Sequence, residues 1–406
     1  MYDLLRGLRV VEASAFVAGP SCALYLAQLG AEVVRIDQIG GGPDFHRWPL
    51  DVRSGASLYW EGLNKSKKSV ALDLTRPQGR EIAMRIATAP GDGAGLFVTN
   101  YPVDGYLSYE ALRQLRHDLL CVRIMGWPDG RPAVDYTINA AVGVPAMTGP
   151  ANDSRPVNHV LPAWDLLAGA YAAFTLLAAE RARRQDGRGQ EIRIPLSDLA
   201  IASLGHLGQI GEVQTRGQDR ARMGNDLYGA FGRDFETRDG RRLMVVAITA
   251  RQWSGLLAAL GLQARISELE SELGVRFDRD EGMRFTHRRR LVPLIESAIA
   301  GRAAADLAAV FETQSVCWAP YQTLLQAVST DGYFSAANPM LSLIDHPSGQ
   351  RYLAPGAAAS LPSEPRRAPA AAHRLGQDTD EVLVELLDLS PGEIGRLRDS
   401  GLVGGS

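Results

Sequence analysis

Asp165 offers the clearest chemistry in this 406-residue sequence. It ends the segment Asn158-His159-Val160-Leu161-Pro162-Ala163-Trp164-Asp165 and stands directly ahead of a nearly apolar run over 166–179. An aspartate there can cap the helix that the run predicts, accepting hydrogen bonds from its first free amides. The same carboxylate can be a nucleophile. A helix N-terminus carries partial positive charge that keeps it ionised, and a carboxylate can open an activated ester through a covalent intermediate. Position alone leaves cap and nucleophile both open. Other chemistries find less support. Gly40-Gly41-Gly42 follows a strand, but Pro43, Asp44 and Phe45 come next, so the G-x-G-x-x-G dinucleotide fingerprint, which opens a helix directly, is not met. The seven histidines never pair at metal-site spacing, and the sequence has no G-x-S-x-G elbow and no Walker loop.

The elements that must position Asp165 follow from periodicity. Residues 8–13, 31–37, 69–72, 96–98, 119–124 and 191–194 read as strands, with helices over 22–29, 77–87 and 166–183, the last one buried. Strands alternating with helices predict an α/β, doubly wound sheet. Beyond about residue 215 the pattern changes. Residues 228–237 and 242–247 flank Asp239-Gly240 as a hairpin, and helices follow over 250–260, 288–300 and 303–312. The expected organisation is a large domain over 1–214, a small domain over 215–330, and a closing segment over 331–406. That last segment holds a Pro- and Ala-rich linker (353–372) and two short helices, 379–389 and 391–400.

The bulk properties narrow the class. Hydrophobic residues make up 46 % and charged residues 22 %, as in an ordinary globular protein. A formal net charge of −3 supplies no global basic field for nucleic acid or an anionic membrane. Cys22, Cys121 and Cys317 stand far apart, which suits reduced thiols in a cytoplasmic protein. Residues 1–10 have charges and no apolar core of a secretory signal, and the 166–179 run is shorter than a membrane-spanning helix needs.

Several segments, read in order, resemble class III CoA-transferases. They are Gly7-Leu8-Arg9-Val10-Val11-Glu12, Ala18-Gly19-Pro20, the stretch 26–35 ending in Glu32-Val33-Val34-Arg35, 64–74 (opening Asn64-Lys65-Ser66-Lys67-Lys68), Gly187-Arg188-Gly189-Gln190, and Leu375-Gly376-Gln377-Asp378-Thr379. The resemblance implies a Rossmann-like large domain and a smaller α+β domain, in an interlocked homodimer whose C-terminal helices return to the large domain. It implies an acyl-CoA substrate, with no cofactor beyond the CoA that is part of it. Asp165 takes the position of the family's nucleophile. Val17, Ala18, Arg35, Leu72, Asn100 and Tyr101 match CoA-binding positions, Arg35 by stacking on adenine or pairing with phosphate. The loop beyond Tyr101 is short, and the family's customary arginine has no counterpart there.

The resemblance also ranks activities. The histidine that racemases of the family need falls on Val134, which cannot carry a proton. Residues 40–49, 158–165 and 228–237 resemble instead those members that move CoA between the two carboxyls of one unsaturated C5 diacid, as in the 3-hydroxypropionate carbon-fixation bi-cycle and glyoxylate assimilation. Such a member must hold a dianion, and Arg47, His159, Tyr228 and Arg233 are the expected side chains. The alternatives are a transferase passing CoA to a separate dicarboxylic acid, and a non-catalytic CoA-binding scaffold in which Asp165 is a cap.

Overall fold

A computed structural model describes residues 1–405. Runs such as Val10-Val11 and Val33-Val34 are buried on both sides, the pattern of parallel strands covered by helices. They form β1 (Arg9–Ala13), β2 (Glu32–Gln38), β3 (Lys68–Leu72), β4 (Leu96–Thr99), β5 (Leu120–Met125) and β6 (Gln190–Pro195). These pair in parallel in the order 3-2-1-4-5-6, and Val403–Gly404 adds an antiparallel edge beside β3. The helices of this part are α1 (Ala18–Gln28), α2 (Leu58–Leu63), α3 (Pro77–Ala87), α4 (Tyr109–Leu115) and α5 (Asp135–Ala141). After α6 (Val144–Met147) comes the long α7 (Ala163–Asp186).

The chain divides into two units. The first comprises Met1–Val142, His159–Thr215 and the chain from Asp331 onward; the second comprises Gly143–Asn158 and Arg216–Thr330. In the first unit, one core lies between the sheet and α1 with α7, and another on a face that takes Ile82, Leu112, Val382 and Ile394. The C-terminal segment is tied to β3 by specific bonds. Asp378 accepts from the Ser69 amide at 2.7 Å, and the Thr379 hydroxyl oxygen accepts from the Ala71 amide at 3.1 Å. The Lys68 ammonium lies 2.8–2.9 Å from Glu32, Glu381 and Glu385.

In the second unit β7 (Phe231–Glu236), β8 (Arg242–Ala247) and β9 (Cys317–Pro320) form an antiparallel sheet, with Phe231, Phe235, Trp253 and Phe311 in its core. The hairpin strand begins at Phe231, three residues later than its β-rich composition suggests, because Gly229 turns the chain at a positive φ of 80°. The 353–372 linker begins inside a second hairpin, Leu341–Asp345 with Arg351–Pro355.

Two helices differ from expectation in ways that bear on the site. Helix α1 starts at Ala18 rather than Cys22, since Pro20 fits within a first helical turn. Helix α7 is not buried all round. Ala168, Gly169, Ala172, Ala173, Leu176 and Ala179 are buried, whereas Leu167, Tyr171 and Phe174 are exposed at helical spacing on the other side. The buried side is small because α1 lies against it. A Cβ on Gly169 would come within 2.7 Å of Ser21 Cβ and 2.9 Å of the Ala18 carbonyl oxygen. No helix among the described residues is long and apolar enough to cross a membrane.

Gly169→Ala should therefore push α7 off α1 and destabilise the protein by about 1–3 kcal/mol, read as a lower midpoint in urea. An unchanged midpoint would show that the helix crossing has room to spare.

Candidate active site

In a sheet ordered 3-2-1-4-5-6, the chain leaves β1 toward one face and β4 toward the other, which opens a crevice at the carboxyl ends of these two strands. A cavity of about 630 Å³ lies there, lined among others by Phe16, Val17, Asn100, Met125, Asp135 and Asp165. Asn100, just past β4, ties the two strand ends together. Its amide oxygen accepts from Ala15 N at 3.0 Å and its amide nitrogen donates to Ala15 O at 2.7 Å.

Asp165 is the third residue of α7, not its cap. The cap comes from elsewhere. Asp135 and Asn139 lie four residues apart on one face of α5. Asp135 Oδ2 accepts from Trp164 N at 2.6 Å and Asp165 N at 3.1 Å, the amides an N-cap normally satisfies. Asn139 Oδ1 accepts from the Trp164 indole at 3.1 Å. His159 bonds Asp135 through Nε2 to Oδ1, and the carboxylate is 1 % exposed. The α7 amides are thus satisfied without the Asp165 side chain, which lines the cavity.

Its charge state departs from expectation. Burial pushes the Asp165 carboxyl up to about 7, the nearby Asp135 anion adds to the rise, and Arg47 opposes it. Removal from water and a second carboxylate thus act against the ionised state that the helix terminus favours. Arg47 is held over the rings of Phe16 and Tyr59, 5.4 and 5.5 Å from their centroids. Burial pushes the Tyr59 phenol up to about 12, so it stays a neutral donor in the same cavity.

The residues matched to CoA positions separate into two groups. Val17, Ala18 and Asn100 line the cavity. Arg35 does not reach it. It is 1 % exposed, with its guanidinium bonded to Asp37, Asp44, Glu12 and Asn64, and so does not lie exposed at a strand end. Leu72 is fully buried, and its carbonyl accepts from Ile39 and Leu74. Tyr101 packs on the core shared with Leu72, and Arg123 donates to its carbonyl and to that of Pro102, both at 2.8 Å.

Of the residues expected to hold the dianion, Arg47 lines the cavity, while His159 stands behind it on Asp135. Tyr228 and Arg233 belong to the second unit. There Arg220 lies 3.8 Å above the Tyr228 ring, and Arg233 is 3.4 Å from Asp226. Sequence reading missed Asp135 and Tyr59. Asp135 adjoins Val134, where a catalytic histidine was sought, but nothing local couples it to an aspartate thirty positions on.

The raised Asp165 pKa has a definite sign in stability. A carboxyl that binds its proton more tightly folded than unfolded loses stability as pH rises from about 4 to about 7. Asp165→Asn should be more stable than the parent by on the order of a few kcal/mol at pH 8, with the difference fading toward pH 4. Thermal midpoints across that range test this; a difference independent of pH would place Asp165 in water.

The chain is similar to known proteins along nearly its whole length. A model of CoA-transferase family III matches residues 5–379. The chain is 48 % identical to 2-methylfumaryl-CoA isomerase of Chloroflexus aurantiacus over 405 residues, covering all of this chain and 99 % of that one. It is 26 % identical to succinyl-CoA:glutarate CoA-transferase of Mus musculus, over 98 % of this chain and 90 % of the relative. The crystal structure of a CaiB/BaiF family protein from Brucella suis shares the fold, with a TM-score of 0.75 at 24 % identity over 95 % of this chain and all of that one. With the family model covering almost all of the chain, this protein belongs to CoA-transferase family III.

Proposed function

We propose that the protein moves CoA within one molecule, interconverting 2-methylfumaryl-CoA and 3-methylfumaryl-CoA (the C1 and C4 thioesters of mesaconate). The full-length likeness to an isomerase of that name supports the substrate. The observation that carries the mechanism is the Asp165 carboxylate, released from capping by Asp135 and facing the cavity.

Ionised Asp165 attacks the thioester carbonyl and expels CoA thiolate, giving a mixed anhydride. The thiolate attacks the aspartyl carbonyl, which leaves an aspartyl-CoA thioester and the free diacid. The diacid's other carboxylate attacks that thioester and again expels thiolate. Thiolate attack on the acyl carbonyl of this second anhydride forms the isomeric product and restores Asp165. Each capture competes with water, so the diacid must stay beside the enzyme thioester. In this reading bound CoA corks the pocket. Arg47 holds a carboxylate within it, and His159 acts through Asp135. Tyr228 and Arg233 enter through the resemblance alone. A carboxyl that titrates near 7 is half ionised at neutral pH, and its desolvated anion is a strong nucleophile.

The exposed side chains Leu167, Tyr171 and Phe174 on α7 support a homodimer, since a second copy would take this apolar stripe out of water. Buried Cys22 and Cys121 fit a reducing cytoplasm. Light scattering should give twice the 43.8 kDa chain mass, and a mass of one chain would remove the dimer.

The function is tested with the C1 thioester as sole substrate and isotopically labelled free mesaconate in a parallel tube. Unlabelled C4 thioester in both tubes is the expected result, with an aspartyl-CoA adduct seen by mass and lost in Asp165→Ala. Label in the product would identify a transferase that uses a separate acid. No product and no adduct would leave a CoA-binding scaffold.

A further inference from the structure

Phe16 sits in the turn between β1 and α1 and lines the cavity. Its φ of 68° is left-handed, a conformation in which Cβ crowds the backbone of any residue but glycine. Such a residue persists only where its surroundings hold it. What holds Phe16 is Asp44, whose Oδ2 accepts from the Phe16 amide at 3.1 Å. Asp44 is itself 1 % exposed, and both its oxygens accept from Arg35 Nη2, at 3.1 and 3.2 Å. Arg35 is fixed in turn by two bonds to Asp37, at 2.8 and 2.9 Å, and one to Glu12 at 3.1 Å.

The same aspartate begins the turn that delivers Arg47. The Arg47 amide donates to the Asp44 carbonyl at 3.1 Å, and the Arg47 carbonyl accepts from the Ser57 hydroxyl at 2.6 Å. The Arg47 guanidinium then rests over the Phe16 ring that Asp44 has oriented. The Asp44 carboxylate thus fixes the aromatic platform directly, and its main-chain carbonyl closes the turn that brings Arg47 onto it.

We infer that Asp44 is a positioning residue that sets Arg47 against Asp165 through the Phe16 ring. The inference rests on the reading of Arg47 as the cation that holds the diacid. Removing the Asp44 carboxylate leaves Arg35 paired with Asp37 and Glu12, so the fold retains its buried charge compensation. Phe16 loses the bond that opposes its strain, and Arg47 loses one of the two aromatic faces that hold it, keeping only Tyr59.

The test compares turnover of the C1 thioester by Asp44→Ala, Asp44→Asn, Arg47→Ala and the Asp44→Ala/Arg47→Ala double variant. Asp44→Ala should be roughly ten- to a hundredfold slower, the scale of a misplaced catalytic contact. Asp44→Asn keeps an oxygen for the Phe16 amide and should recover most of that loss. The double variant should be no slower than Arg47→Ala alone, because the two changes remove one interaction. A double variant slowed by the product of the two single effects would overturn the inference and leave the function standing, as would full activity in Asp44→Ala. Normal turnover by Arg47→Ala would instead remove Arg47 from the diacid site. The crystal structure of Asp44→Ala then decides: Phe16 leaving its left-handed conformation with Arg47 displaced upholds the positioning role, and an unchanged loop overturns it.

Discussion

The first amides of α7 must be bonded to something, and the carboxylate that bonds them is Asp135 rather than Asp165. This one substitution of donor and acceptor partners governs the chemistry. A cap must keep its oxygens on the helix, whereas a nucleophile must turn them toward a carbonyl carbon. Because α5 supplies the cap, α7 keeps a satisfied N-terminus while its own aspartate is released into the cavity. The same arrangement brings two carboxylates close together in a buried place, and with burial it raises the Asp165 pKa.

The arrangement depends in turn on the sheet. The order 3-2-1-4-5-6 puts the β1 turn, the end of β4 and the end of β5 around a single crevice, so side chains far apart in sequence share one wall. Close packing of α7 on α1 through Gly169 and its alanines sets where the α7 N-terminus arrives. Small residues there keep the helices near; larger ones would carry Asp165 away from the strand ends.

Electrostatics divide by depth. Glu12, Asp37 and Asp44 meet Arg35 and Lys67 entirely inside the protein, where unpaired charge would be very costly and mutual pairing is the only stable outcome. Arg47 lies at the cavity beyond that cluster, over the faces of Phe16 and Tyr59, where its guanidinium faces the space that an anion would enter.

By itself the sequence determined what depends on local order. The strands of the parallel sheet, α3, α7 and the helices over 250–260 and 288–300 were legible within a few residues because each is a short-range pattern of apolar spacing and breakers, whereas the helices Gln263–Leu273 and Glu281–Thr286 between them were not. Asp165 was legible as a candidate from its place before an apolar run, and the ordered motifs pointed to the family. Partners distant in sequence were not legible. Whether Asp165 caps its helix depends on Asp135, thirty residues earlier, and whether Arg35 meets ligand depends on Asp37, Asp44 and Glu12 closing over it. Burial also acts against the local electrostatic argument, since a helix terminus favours the anion but says nothing of how much water remains around it. Hydrogen-bond partners and dielectric surroundings belong to the packed chain, and they are what tertiary structure decided.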